Sequence, residues 1–215
     1  MTRFFATVLL SLGLFSTVLA QVESKEEFVF DFAPVYQASE LIYYGADFSQ
    51  FGFCYPDKVG QEEQMLKFIP AWLGDLNKIY SLDVLPRLMK KKVVGRLQSV
   101  QNKYKLIGEE WILFEPTTFG IEKVKTEVKN YQLEETSGIG LVLIVENFDK
   151  IHENGIVYFA LFDIASREVL YCNKMEGVAV GAGMTNHWAS VLTSSFDVFI
   201  TEYREQLHRA KKTKK

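Results

Sequence analysis

The stretch Gly138-Ile139-Gly140-Leu141-Val142-Leu143-Ile144-Val145-Glu146-Asn147 decides how the chain folds. It is apolar at successive positions, so both faces of an extended segment would be apolar. That pattern belongs to a central strand covered on each side, not to an edge strand facing water. A second such run follows, Gly155-Ile156-Val157-Tyr158-Phe159-Ala160-Leu161-Phe162-Asp163-Ile164, and then a shorter one, Arg167-Glu168-Val169-Leu170-Tyr171-Cys172. The link Ile164-Ala165-Ser166-Arg167 is short enough to force an antiparallel hairpin, and Asn154-Gly155 is a common turn pair. The reading is a three-stranded antiparallel meander that needs helices on its faces.

Working outward, Trp188, Val191, Leu192, Phe196, Phe199, Tyr203 and Leu207 step along one face of a C-terminal helix over 185–209. Ile121, Val124, Val128 and Tyr131 form the stripe of another helix, with Pro116-Thr117-Thr118 as a stop followed by a cap. Glu62 to Tyr80 reads as an amphipathic helix that Pro70 either kinks or restarts. Asp83 is expected to cap a short helix with Pro86 in its first turn. Residues 27–33 and 40–44 read as strands, 93–100 as a strand in preference to the end of a helix, and 111–114 as a short buried strand or extended run. The expected fold class is α+β: an antiparallel sheet, made of the C-terminal meander plus strands from the N-terminal half, packed by amphipathic helices.

Residues 1–20 read as a targeting segment, with Arg3 before an apolar run and Val18-Leu19-Ala20 before a cleavage point at Gln21. The alternative, an uncleaved anchor, is disfavoured because the run is short for spanning a bilayer. The expectation is a periplasmic or secreted protein with no transmembrane segment after cleavage. Residues 21–215 then form a single domain, of which 21–104 reads as an N-terminal lobe. The formal net charge is −3, one unit more negative once Arg3 is removed, which is no footprint for nucleic acid. The basic tail Arg209 to Lys215 reads as a solvated terminus.

Chemistry is sparse. The loop Gly177 to Asn186 enters a helix, whose free amides and positive dipole end could hold an anion. Gly181, Gly183, Thr185, Asn186 and His187 are therefore the candidate ligand-binding residues. The loop lacks the Gly-Lys-Ser/Thr of a phosphate loop and one glycine of the dinucleotide motif, so a turn with Thr185 or Asn186 as the cap is preferred. His152, His187 and His208 have no metal-ligand spacing, and no cofactor or metal is implied. No catalytic residue is assigned, although Glu146, Asp149 and Asp163 fall at strand ends where they could line a cleft. Cys54 and Cys172 could bridge in an oxidising compartment, adding roughly 4–5 kcal/mol in the chain-entropy account, or could be small buried thiols.

The segments Tyr44-Gly45-Ala46-Asp47-Phe48-Ser49, Ile69-Pro70-Ala71-Trp72, Gly138-Ile139-Gly140-Leu141, Phe162-Asp163-Ile164-Ala165 and Asn186-His187-Trp188-Ala189 resemble an uncharacterised family of exported proteins from Bacteroidota. The resemblance implies a richer glycine loop before an Arg-Asn pair, and Thr185 stands where that Arg would be. The element order is also similar to the small periplasmic α/β domains of TolB-like and CsgG-like proteins, a likeness of architecture alone. The expected function is a non-enzymatic binding or envelope-associated domain, its partner an unknown protein or envelope component. The alternative is a hydrolase or transferase using the Gly177–Trp188 loop with nearby carboxylates. A pocket joining His187 to a carboxylate would favour the enzyme; an apolar surface around Trp72, Tyr43 or Tyr44 would favour the binder.

Overall fold

Seven strands share one sheet: β1 (Glu40–Asp47), β2 (Gly52–Cys54), β3 (Lys92–Gly95), β4 (Ile112–Leu113), β5 (Ile139–Asp149), β6 (Asn154–Asp163) and β7 (Val169–Val178). The computed structural model describes residues 30–55, 62–107 and 109–213. Residues 1–20, read from the sequence as a targeting segment, lie outside the described residues. Helices are α1 (Ala33–Gln37), α2 (Glu62–Met65), α3 (Ile69–Ile79), α4 (Leu85–Met89), α5 (Gln98–Gln101), α6 (Ile121–Lys129) and α7 (Gly183–Thr213).

The expectation of an α+β fold on an antiparallel sheet is overturned. The path β3-β1-β5-β2-β4 is parallel throughout, and the architecture is α/β. The physical reason is the spacing of the N-terminal strands. α2, α3 and α4 intervene between β2 and β3, and α6 between β4 and β5, so each link is a crossover that returns the chain to the same end of the sheet. β6 and β7 then extend the sheet antiparallel from β5, with Leu143 opposite Phe159 and Ala160 opposite Cys172. β1 and β2 lie end to end along one edge of β5: Tyr43 pairs with Leu141, and Phe53 with Phe148.

Both faces are covered. On one, Tyr43, Leu141, Leu143, Val145, Val157 and Phe159 pack under α3, α4 and α7. On the other, Tyr44, Val142, Ile144, Tyr158 and Phe162 pack under α6, with Val100 of α5. β5 is buried at every position, which is what its apolar run demanded. α7 closes the first face with aromatic pairs, Phe159 to Phe199 at 4.5 Å and Tyr80 to Phe196 at 4.1 Å between ring centres. Gly177 permits the close approach of α7 to β7: a Cβ there would stand 2.0 Å from the Val191 carbonyl oxygen. Beyond it, the Val178 and Val180 amides donate to the Ser194 and Ser190 hydroxyls, so helix side chains satisfy the end of an edge strand.

Several local expectations change. Ala33–Gln37 is a helix with proline in its first turn, not the end of a strand. The Glu62–Tyr80 segment breaks into two α-helices joined by a short 3₁₀ turn, Leu66–Phe68, and α3 starts afresh at Ile69 with Pro70 in its first turn. Val84 stands at the α4 N-cap and Gly120 at the α6 N-cap, neither with a side-chain cap, so Asp83, Thr117 and Thr118 do not cap. The strand expected at 93–100 ends at Gly95 and gives way to α5.

Candidate functional site

Parallel strands β2, β4 and β5 point their carboxyl ends the same way, the side of an α/β sheet on which ligands sit. That end is stitched together by backbone bonds: Tyr55 N–H donates to Leu113 (3.0 Å), Lys150 N–H to Cys54 (3.3 Å) and Ala179 N–H to Glu153 (2.7 Å). The last of these brings the β5–β6 turn against the glycine loop that enters α7. A cleft of about 220 Å³ results, lined by Lys150, Gly181, Gly183, Met184, His187 and Trp188.

Gly181, Gly183 and His187 thus meet in one cleft. Thr185 does not line it, and Asn186 faces a separate hollow beside Asp75 and Lys78. α7 begins at Gly183, so Thr185 and Asn186 lie inside its first turn and neither occupies the cap position. The His187 ring folds back, with Nδ1 3.3 Å from the Gly181 carbonyl oxygen, and Nε2 is buried without a hydrogen-bond partner, 4.0 Å from Glu153 Oε1. Lys150 Nζ lies 3.2 Å from the same Glu153 oxygen. Sequence reasoning missed Lys150 and Glu153, which enter only through the β5–β6 register. The cation that the glycine loop lacks is supplied from this turn.

The strand-end carboxylates do not converge. Asp149 accepts from the Ile151 and His152 amides and lies 2.7 Å from His152 Nδ1, closing the turn. Asp163 does the same work at the opposite end of β6, accepting from the Ser166 amide and hydroxyl. Glu146 is different. A register shift after Val145 turns Glu146 and Asn147 both toward the 117–119 segment. Phe119 N–H donates to Glu146 Oε1, Asn147 Nδ2 donates to the Thr117 carbonyl (3.0 Å), and the Tyr158 hydroxyl donates to the Phe119 carbonyl. Glu146 Oε2 is buried without a partner.

Burial pushes the Glu146 carboxyl up to about 7, against the pull of the Phe119 amide and the Lys174 charge. The folded state therefore holds a proton that the unfolded chain releases near the ordinary 4.5. Stability is full below that value and falls as pH rises from about 4.5 to about 7, by on the order of 2–3 kcal/mol. Urea unfolding of Glu146→Gln at stepped pH is expected to show this decline removed. An unchanged slope in the variant would assign it elsewhere.

A second charged cluster sits at the carboxyl end of β1. Asp47 is fully buried and accepts from the Ser49 amide (2.8 Å), the Tyr131 hydroxyl (2.8 Å) and Lys103 Nζ (3.1 Å). Lys103 also reaches Glu127 at 3.5 Å and lies over the Tyr131 ring, and Lys123 pairs with Glu127 at 3.1 Å. Burial and the Asp47 charge hold the Tyr131 phenol well above its usual range. Each member has a partner inside the cluster, and it joins β1 to α6 across the second face.

Cys54 and Cys172 are free, buried thiols on β2 and β7, with β5 and β6 between those strands, so the bridge between them is not formed. Burial pushes both up to about 12, the neighbouring Asp149 and Glu146 adding to the effect at Cys54. Trp72, Tyr43 and Tyr44 are buried and offer no apolar surface. The exposed apolar side chains lie elsewhere. Of the nine large ones exposed among the described residues, Ile112, Phe114, Ile151, Val178 and Val180 lie in or just after β4, in the β5–β6 turn and at the end of β7, all toward the carboxyl end of the sheet. Among the described residues no group of three His, Cys, Asp or Glu side chains could hold a metal, and no helix is long and apolar enough to cross a membrane. No family model, curated protein or solved structure matches the chain.

Proposed function

We propose that this chain is an exported, non-enzymatic binding domain that engages a protein partner through the carboxyl end of its sheet. The observation that carries the reading is the gathering of exposed apolar side chains around that end, Phe114 at 86% and Val180 at 58% exposure among them. Apolar side chains clustered on a surface, rimmed by polar groups, are the mark of an interaction site. Lys150, His152 and His187 provide the polar element beside them, and the apolar leader at residues 1–20 supports export.

A second reading, a hydrolase or transferase, draws support from His187 lying 4.0 Å from Glu153 with Lys150 in the same cleft. The two separate by experiment. Tagged chain lacking residues 1–20 is used to capture partners from native envelopes, with Phe114→Asp, Val180→Asp, Val198→Asp and His187→Ala compared. The binding reading expects one protein lost with the first two variants and kept with the last two, His187→Ala costing about 1 kcal/mol of stability. Capture indifferent to Phe114 and Val180 would contradict it, and capture that fails only in His187→Ala would move the catalytic reading forward.

A further inference from the structure

At the opposite, amino end of the sheet lies an open groove of about 870 Å³ between the end of α4, α1 and the distal part of α7. Lys90, Lys91, Arg204, His208, Lys211 and Leu207 line it, and no carboxylate does so among the described residues. Four permanent cations thus converge in one hollow of a chain whose net charge is negative. All four come from two segments that the fold brings together. Arg204, His208 and Lys211 recur at helical spacing and form one stripe of α7, while Lys90 and Lys91 enter from the α4–β3 turn.

The cations are positioned, not merely present. Arg204 Nε donates to the Leu88 carbonyl at 3.1 Å, which fixes the plane of the guanidinium and leaves its terminal nitrogens for a ligand. Lys91 Nζ donates to the carbonyls of Tyr36 (3.1 Å) and Ala38, using two of its three protons. Burial pushes the Lys91 ammonium down, an effect that a bound anion would oppose. Lys90 holds a left-handed backbone (φ 56°) at the C-cap of α4, where glycine is the unstrained residue. The strained position places a lysine side chain on the groove wall. Lys92, next in the chain, is by contrast neutralised by Glu40 at 2.5 Å.

We infer that this groove binds a small molecule bearing several phosphate charges, with Arg204 and Lys91 as fixed donors and Lys90 and Lys211 closing over the anion. Arg and Lys together suit phosphate oxygens, one as a planar fork and the other as a point charge. The volume falls in the range of ligand pockets and exceeds what an inorganic ion fills, and Leu207 gives an organic body an apolar contact. The phosphate could be that of a soluble compound or of a lipid headgroup.

Two probes distinguish the sources: tripolyphosphate by titration calorimetry, and co-sedimentation with phosphatidylcholine vesicles containing one-fifth phosphatidic acid, each on chain lacking residues 1–20 in about 0.15 M salt. The double variant Lys90→Gly with Lys211→Ala removes two charges while relieving the strained turn, so its melting temperature should be unchanged or raised. It is expected to weaken saturable binding at least tenfold, whereas the charge-matched Lys78→Ala with Lys174→Ala should leave binding within about twofold. Tripolyphosphate binding with this pattern assigns a soluble ligand, and vesicle binding alone with the same pattern assigns a headgroup. Binding of neither probe, or equal loss in both double variants, would overturn the assignment.

Discussion

Replacing Phe159 by alanine is expected to lower the free energy of unfolding by about 3–5 kcal/mol. The ring is fully buried on β6, stacked on Phe199 at 4.5 Å and edge-on to Phe196 at 5.2 Å. Its removal takes away apolar area and leaves a hollow that α7 and the sheet cannot both close on, since Gly177 already holds that helix at backbone contact. Guanidinium unfolding measures the loss. A shift under about 1 kcal/mol would mean that α7 does not cover β6 as described.

Asp47→Ala is expected to cost a comparable amount, about 3–5 kcal/mol, through a different mechanism. The carboxylate receives three donors, and its loss leaves the Tyr131 hydroxyl and Ser49 amide without an acceptor in a buried place. Lys103 retains Glu127 at 3.5 Å, so the penalty falls mainly on the desolvated hydrogen bonds. Asp47→Asn keeps an acceptor for the Ser49 amide and should cost less. Equal loss in both variants would show that charge outweighs hydrogen bonding there, and a loss below about 1 kcal/mol in Asp47→Ala would show the cluster to be ornamental.

How far the residues announced this fold depends on the element. The β5 and β6 runs declared themselves central because apolarity on both faces has one structural solution. The strand directions are less legible: the antiparallel meander holds only for β5 to β7, and the N-terminal links contain α2 to α4 and α6, which imply crossovers and parallel pairing. Phe28-Val29-Phe30-Asp31-Phe32 alternates like a strand, yet Pro34 in a helical first turn was the stronger signal for the residues that follow. Glycines marked the cleft beside α7, but Lys150 and Glu153 arrive from thirty residues upstream and no local pattern announces them. The paired orientation of Glu146 and Asn147 depends on a bulge, and alternation cannot show one. The basic groove left a trace in the stripe Arg204, His208 and Lys211, which only the approach of Lys90 and Lys91 turns into a site.

The central claim is that a partner docks on the carboxyl end of the sheet, and site-specific photo-crosslinking in native envelopes tests it most directly. A photoreactive side chain at Val180, whose amide bonds Ser190 of α7, is compared with one at Val198, which is also exposed but lies two turns, roughly 12 Å, farther along that helix. The account predicts one discrete crosslinked protein at Val180, abolished by Phe114→Asp, and none at Val198. Crosslinks of equal yield at both positions, or none at Val180, would contradict it.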